Sequence, residues 1–220
     1  MRPVRSYVLR QGRMSPAQHE ALEAILPAYA VPYAPARLDL ASAFGRDAPT
    51  ILEIGSGMGE TTVAMALAEP HVNFLAVEVH KPGVAALVRR ARDEGASNVR
   101  VVRHDAVEVL RDMIAPASLA GIRIFFPDPW PKKRHHKRRL VQAPFVRAMA
   151  HALAHDAVLH IATDWEPYAL EMLDTLSREP LLANCEQGFA ARPLERPLTK
   201  FERRGVALGH GVWDLRFARA

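Results

Sequence analysis

The sequence predicts one α/β domain with a mostly parallel sheet and helices on both of its faces. From about residue 50 onward, short apolar runs alternate with segments of helical length, a pattern typical of successive strand–helix units. The 220 residues, of which 49% are hydrophobic, are enough to fill one such domain rather than two. Towards the C-terminus the alternation ends, and two strand-like segments joined by a long loop favour an antiparallel pair.

A helix is expected before the sheet, because Ser15 can cap it and Pro16 suits the first helical position. Residues 1–15 lack helical or alternating periodicity and are expected to form a basic arm that is either mobile or simply frayed, ahead of a domain at 16–220. The elements expected after this helix are, in chain order, strand Ile51–Ile54, helix Glu60–Ala68, strand Phe74–Glu78, helix Pro82–Glu94, strand Val99–Val102, helix Ala106–Ile114, strand Ile122–Phe126, helix Phe145–His155, strand Val158–Ala162, helix Pro167–Arg178, and strands Leu181–Glu186 and Trp213–Ala218.

The basic charge of the chain is concentrated in one segment. The net charge is +5, from 29 Lys and Arg against 24 Asp and Glu. Residues 132–139 hold six of the cations, so the other 23 face 24 acids and the remainder of the chain is nearly neutral. A charge run is often only a solvated face, but charge this local also indicates a surface for a polyanion.

Composition excludes several classes of protein. Cys185 is the only cysteine, which excludes an intramolecular disulfide and a Cys-based zinc cage, and its apolar surroundings favour a buried position. His151 and His155 are four residues apart but lack a third ligand, so no metal is expected. The sequence offers neither an apolar signal region nor a run of membrane-spanning length, and we expect a cytoplasmic protein.

The segment from residue 122 to 139 joins a strand, a rigid loop and the basic run. Every second residue from 127 to 131 is proline, which fixes its own φ and favours extended geometry in the residue before it. Asp128 and Trp130 lie between these prolines. An acid, an aromatic and a block of cations on one loop indicate a flat, anionic partner such as nucleic acid. Trp130 is expected either to stack on a base or to fill the core of the loop.

A glycine-rich turn follows the first predicted strand. The order Glu53-Ile-Gly55-Ser-Gly57-Met-Gly59-Glu60 opens a helix, the position of a nucleotide-binding turn. A dinucleotide favours the spacing G-x-G-x-x-G and would bring its pyrophosphate against two carboxylates here. A cationic ligand without phosphate would be attracted instead. S-adenosylmethionine, with a sulfonium and an ammonium, is such a ligand.

Two further acids end the neighbouring strands. Glu78 ends the second strand, where it could accept from both ribose hydroxyls, and Asp105 follows the third, where it could accept from an adenine amino group. Because ligands bind at the carboxyl ends of parallel strands, Glu53, Glu78 and Asp105 together favour a nucleoside that carries positive charge.

With these residues assembled, the chain resembles the bacterial tRNA (guanine-N7-)-methyltransferases, within the class I S-adenosylmethionine-dependent methyltransferases. The most specific matching segments are Phe126-Pro-Asp-Pro-Trp-Pro-Lys-Lys-Arg-His-His-Lys-Arg-Arg139 and Leu198-Thr-Lys-Phe-Glu-Arg203. The resemblance implies a Rossmann-like, seven-stranded, mostly parallel sheet with an antiparallel last strand. It also implies methyl transfer from S-adenosylmethionine to N7 of a guanine in the variable loop of tRNA.

The resemblance, together with the glycine turn, also implies which residues form the site. Asp128 is expected to be catalytic. Cofactor contacts are expected from Glu53, Gly55, Gly57, Glu78, Asp105 and Asp128. Substrate contacts are expected from Lys132, Arg134, His135, His136, Lys137, Arg138, Arg139, Asp164, Thr199, Lys200, Phe201 and Glu202.

Guanine N7 carries a lone pair and no proton, so Asp128 is expected to orient the base and stabilise charge rather than to act as an obligatory base. The expected partner is tRNA, with no membrane and no obligatory protein partner, for a monomer or weak homodimer. Two alternatives stay open: a methyltransferase for another RNA, and a non-catalytic RNA-binding protein on this fold. The glycine spacing disfavours an NAD-type oxidoreductase.

Overall fold

The computed structural model describes residues 4–9, 13–194, 196–199, 202 and 211–220. Within these residues the chain forms seven strands: β1 Thr50–Ile54, β2 Asn73–Val77, β3 Val99–Val102, β4 Leu119–Phe125, β5 Leu153–Thr163, β6 Leu182–Asn184 and β7 Trp213–Arg219. They form one sheet of order β3-β2-β1-β4-β5-β7-β6. Strands β1 to β5 are parallel, and β7 runs antiparallel to both β5 and β6, as the sequence predicts.

Eight α-helices surround this sheet in the described part of the chain. Ser15 caps the first of them in a reciprocal capping box with Gln18, which satisfies two backbone N–H groups at the helix start. A π-helical turn, Ala21–Ile25, continues α1 into α2. The helices are α1 Pro16–Glu20, α2 Leu26–Tyr29, α3 Leu40–Phe44, α4 Glu60–Ala68, α5 Lys81–Glu94, α6 Ala106–Asp112, α7 Ala143–Ala152 and α8 Glu166–Ser177.

The sheet buries an apolar core on each face, because successive strand residues point to opposite sides. Leu52 belongs to the core formed with buried side chains of α6, α7 and α8. Its neighbour Ile51 belongs to the core formed with α4, α5 and the π-helical turn. The parallel strands are therefore buried on both faces, which explains why their sequences read as continuous apolar runs.

Two sequence predictions are wrong in detail. Helix α7 ends at Ala152 because Leu153 adopts extended geometry and begins β5, so His155 lies in a strand rather than on the helix face of His151. Cys185 is exposed rather than buried, because β6 ends at Asn184 and leaves the cysteine outside the strand. No helix in the described ranges is both long and apolar enough to cross a membrane.

Candidate active site

Five acidic residues reach the same edge of the sheet, because each lies at or beyond the carboxyl end of a parallel strand. Strands β1 and β4 are neighbours at the centre, where the strand order reverses direction along the sheet. Such a switch point is the usual ligand-binding crevice of an open α/β sheet. The acids placed around it are Glu53, Glu78, Asp105, Asp128 and Asp164.

The glycine turn between β1 and α4 is held rigidly in place. Gly59 has φ +76°, and a Cβ atom there would lie 2.7 Å from the Cα atom of Leu87 in α5. A Cβ atom on Gly83, at the start of α5, would lie 2.6 Å from the Gly57 carbonyl oxygen. The Gly57 N–H donates to Glu78 Oε2 at 2.8 Å. The turn therefore packs directly on α5 and is fastened to the end of β2.

Glu53 is a buried acid without a full set of partners. Glu53 is only 3% exposed. Its Oε2 atom has no hydrogen-bond partner among the described residues. Burial raises the pKa of Glu53 to about 7, a rise that Glu78 increases and Thr62 and Arg123 oppose. An unpaired buried carboxylate oxygen beside a cavity fits a ligand that brings positive charge. The Ser56 hydroxyl, in the same turn, is also buried and unpaired within the described chain.

Glu78 and Asp105 already hold the backbone around the crevice. Glu78 accepts from Gly57 through one oxygen and from the His80 N–H through the other, at 2.8 Å each. Asp105 caps α6, accepting from the Val107 N–H at 2.9 Å. Each carboxylate therefore combines a structural hydrogen bond with a position at the crevice.

The loop of residues 126–131 after β4, which we call the proline loop, carries backbone strain on both sides of Asp128. Phe126 and Trp130 have φ +54° and +46°, values that non-glycine residues adopt rarely and that cluster at functional sites. The Phe126 N–H donates to the Ala162 carbonyl at 2.7 Å, which fixes the start of the loop to β5. Asp128 is exposed. It lines a cavity of about 230 Å³ together with Glu78 and the end of β1.

The N-terminal arm lies across this cavity, which the sequence does not predict. Arg5 forms an ion pair with Asp105, and the Trp130 Nε1–H donates to the Ser6 carbonyl at 3.0 Å. Ser6 and Tyr7 also line the 230 Å³ cavity. The described part of the arm, residues 4–9, is thus attached both to Asp105 at the start of α6 and to the proline loop.

The half-buried Trp130 has neighbours of its own. Its ring lies 5.1 Å from the Arg138 guanidinium carbon and meets the His135 ring edge-on at 5.7 Å. These contacts and the hydrogen bond to Ser6 place Trp130 between the N-terminal arm and the basic run. That Trp130 stacks on a base stays a prediction.

The basic run divides into exposed cations and one buried cation. Its first part forms a 3₁₀ helix, Lys133–Arg138. Arg139 is only 4% exposed. Its Nε donates to the Pro129 carbonyl at 2.9 Å, and its guanidinium pairs with Glu171. Arg139 therefore holds the proline loop in place. It is buried within the protein, whereas the sequence predicts that it contacts RNA. The expected substrate residues that the structure places at the surface are Lys132, Arg134 and Lys137, with His135, His136 and Arg138 half-buried.

A second cavity, of about 170 Å³, adjoins the first and shares Gly55, Phe125 at the end of β4, and Phe126 with it. Glu53 and Thr199 line it from opposite segments of the chain. The structure thus brings Thr199 to the glycine turn, whereas Asp164 is half-buried at the end of β5. Lys200 and Phe201 lie outside the described residues.

Glu202 is engaged by arginines rather than facing the crevice. It is 2% exposed, and its oxygens lie 2.7 Å from Arg196 Nη1 and 2.9 Å from Arg192 Nε. Arg196 also contacts Asp214, whose Oδ1 atom lies 2.6 Å from His160 Nε2. Burial lowers the pKa of His160, although Asp214 opposes this. Sequence reasoning missed this network, because nothing in the local pattern links Arg196 to strands β5 and β7.

The crevice therefore combines a buried, incompletely paired carboxylate at the glycine turn with a cavity lined by the exposed carboxylate of Asp128. Among the described residues no group of three or more His, Cys, Asp or Glu could hold a metal ion. The arrangement suits group transfer between two positioned ligands.

Comparison with known proteins identifies the family. A family model described as "Putative methyltransferase" matches residues 47–215. A tRNA (guanine-N(7)-)-methyltransferase of Bordetella pertussis is 60% identical over 217 residues, which cover 99% of this chain and 85% of that protein. One of the same name from Methylobacillus flagellatus is 55% identical over 219 residues, covering 99% of this chain and 92% of that protein.

Solved structures agree in fold alone, because their sequences are distant. The 16S rRNA methyltransferase KamB matches with a TM-score of 0.60 at 14% identity, over 84% of this chain and 95% of its own. A 16S rRNA (adenine(1408)-N(1))-methyltransferase from Catenulisporales acidiphilia, solved with the cosubstrate SAM, matches with a TM-score of 0.56 at 18% identity, over 83% and 93%. The family model matches most of the chain, the relatives share this identity and coverage, and the glycine turn and the acids at the strand ends agree with both. The chain therefore belongs to the tRNA (guanine-N7-)-methyltransferase family.

Proposed function

We propose that this protein transfers a methyl group from S-adenosylmethionine to N7 of a guanine in the variable loop of tRNA. The observation that carries the proposal is the pair of adjoining cavities at the switch point of the sheet. One is lined by Glu53 and the glycine turn, and the other by Glu78 and Asp128. A methyl donor can therefore extend from Glu78 in one cavity to Glu53 in the other, with the acceptor base beside Asp128. We expect a cytoplasmic enzyme that acts as a monomer or weak homodimer.

Three acids are proposed to hold the donor. The unpaired Oε2 atom of Glu53 would face the ammonium of the methionine part. Glu78 would accept from the ribose hydroxyls, and Asp105 would accept from the adenine amino group in place of Arg5. The donor supplies a methyl group on a positively charged sulfur. The chain supplies negative charge around a binding site that a phosphate-containing nucleotide would find repulsive.

Asp128 is proposed to orient and stabilise the acceptor base. Guanine N7 attacks with its own lone pair, so positioning and charge placement are the tasks left to the protein. Methylation places positive charge on the purine, and the exposed Asp128 carboxylate lies where it could balance that charge and accept from the N–H edge of the base. Asp164, at the end of β5, is a second candidate for that edge.

The exposed cations of the basic run are proposed to bind the RNA backbone. With Arg139 buried, five Lys and Arg residues of 132–138 are left. If about three to five phosphates are neutralised, the logarithm of the association constant for tRNA should fall with the logarithm of salt concentration with a slope of roughly −3 to −4.5. An association constant that does not change with salt concentration would show that this run does not bind the RNA backbone.

Methyl transfer itself provides the decisive test. The protein would be incubated with methyl-labelled S-adenosylmethionine and unmodified tRNA, and the labelled nucleotide mapped. Label at N7 of a variable-loop guanine is expected, whereas an unlabelled tRNA, or label only in ribosomal RNA added to a parallel reaction, would refute the proposal. Asp128→Asn is expected to lower kcat; near-normal turnover would refute its charge-balancing role.

A further inference from the structure

A third cavity, of about 110 Å³, lies against the sheet face that carries α4, and neither the donor nor the base is proposed to occupy it. Three arginines and one histidine line it: Arg123, Arg196, Arg216 and His160. We propose that this cavity binds a phosphate group, either a free phosphate or one of the RNA backbone. This inference does not depend on the proposed methyl transfer.

The cationic lining is a consequence of strand register. Arg123 of β4 pairs with His160 of β5, and His160 pairs with Arg216 of β7. Directly paired residues of neighbouring strands point to the same face, so the three side chains form one row across three strands. The two arginines of the row lie on either side of His160, so an anion bound over the row would face both guanidinium groups.

The arginines of the row are incompletely partnered. One nitrogen of Arg123 lies 3.0 Å from Glu69, but the other faces the Met65 sulfur at 2.8 Å, and a thioether is a weak acceptor. Arg216 makes no side-chain hydrogen bond or ion pair with any residue the structure describes. Donors of both side chains therefore border the cavity without strong acceptors. A guanidinium group with unused donors can donate two or more hydrogen bonds in one plane to the oxygens of a phosphate.

The acids near the cavity do not oppose an anion strongly, because each is already paired. Asp214 is held by Arg196 and His160, and Glu202 by Arg196. The volume of about 110 Å³ is well above the roughly 10–15 Å³ that one water molecule needs. The cavity thus has room for a group of several oxygen atoms, which favours phosphate over a monatomic anion.

Binding of orthophosphate to the full-length protein, without methyl donor, tests the site. Arg216→Met removes the guanidinium group and keeps an unbranched side chain about as long as the aliphatic stem of arginine. Arg219→Met is the matched control, because Arg219 lies on the same strand but on the opposite face. The NMR signals of the His160 imidazole, identified by their loss in His160→Gln, report where phosphate binds. We expect phosphate to shift them in the unmutated protein and in Arg219→Met, with at least about tenfold weaker binding in Arg216→Met.

Binding of tRNA distinguishes the two sources of phosphate. If the RNA backbone is the source, Arg216→Met should make the salt-dependence slope shallower by about one, while Arg219→Met leaves it unchanged. If free phosphate is the source, the slope stays the same and the phosphate-induced shifts of His160 are lost in Arg216→Met. Equal phosphate binding in both variants, or no shift of His160 together with an unchanged slope, would overturn the inference.

Discussion

Replacing Glu53 by glutamine should stabilise the fold and weaken binding of the methyl donor. The carboxyl group is buried, and its pKa of about 7 stands above an ordinary value of 4.5. Because the folded state holds this proton more tightly than the unfolded state, the stability of the protein falls as pH rises from about 4.5 to 7 and stays lower above that. At about 1.36 kcal/mol per pKa unit, the whole effect is on the order of 3 kcal/mol.

Urea unfolding at pH 5 and pH 8 measures this effect. The free energy of unfolding of Glu53→Gln, minus that of the unmutated protein, should increase by about 2 kcal/mol between the two pH values. The subtraction cancels the titration of all other groups. Glu94→Gln, at an exposed position of α5, is the control and should show no such increase. A difference that stays flat with pH would refute the pKa argument.

Donor binding by the same variant completes the test. A neutral amide cannot balance an ammonium group, so Glu53→Gln should bind S-adenosylmethionine more weakly at pH 8. In the unmutated protein the affinity should fall below pH 7, by up to about tenfold per pH unit, because Glu53 must lose its proton first. Calorimetry in buffers of different ionisation enthalpy should show proton release near pH 7. Equal affinity in both proteins would refute the assignment of Glu53 to the donor.

Three further predictions concern other residues. Arg196→Met removes the cation that the buried carboxylates of Glu202 and Asp214 share, and should lower the free energy of unfolding by about 3–5 kcal/mol in urea; a loss below about 1 kcal/mol would contradict the network. Arg139→Met should lower the melting temperature without changing the slope of the salt dependence of tRNA binding. Lys133→Met should make that slope shallower by about one and leave the melting temperature unchanged. The reverse pattern would contradict the assignment of Arg139 to the fold and of the exposed cations to RNA. Cys185 should react with a thiol reagent in the native protein about as fast as in urea, and protection would contradict its exposure.

The parallel part of the sheet could be predicted because its signals are local. Strands buried on both faces read as short apolar runs, and the acids that follow them reach one edge by topology alone. Glu53, Glu78 and Asp105 were therefore placed at the crevice from sequence. The proposed roles of all three stay predictions.

Contacts between distant segments could not be predicted in this way. The bond between Trp130 and Ser6 joins residues 124 positions apart, and that between His160 and Asp214 joins residues 54 apart. Arg139 looks like its neighbours in the basic run, and only the position of Glu171 in the folded chain shows that it is buried. Such partners depend on tertiary packing, which residue spacing does not encode.

The fit of the glycine turn against α5 determines which side of the crevice can open. Neither Gly59 nor Gly83 leaves room for a single methyl group, so the turn and α5 behave as one rigid body. That side offers the donor a surface whose shape is complete before binding. We therefore expect any movement that admits a large nucleoside and a base to come from the facing side, where one hydrogen bond to the Ser6 carbonyl and the ion pair of Arg5 attach the arm. We expect the arm to limit the rate at which ligands enter, and the glycines to fix the geometry that the ligands adopt.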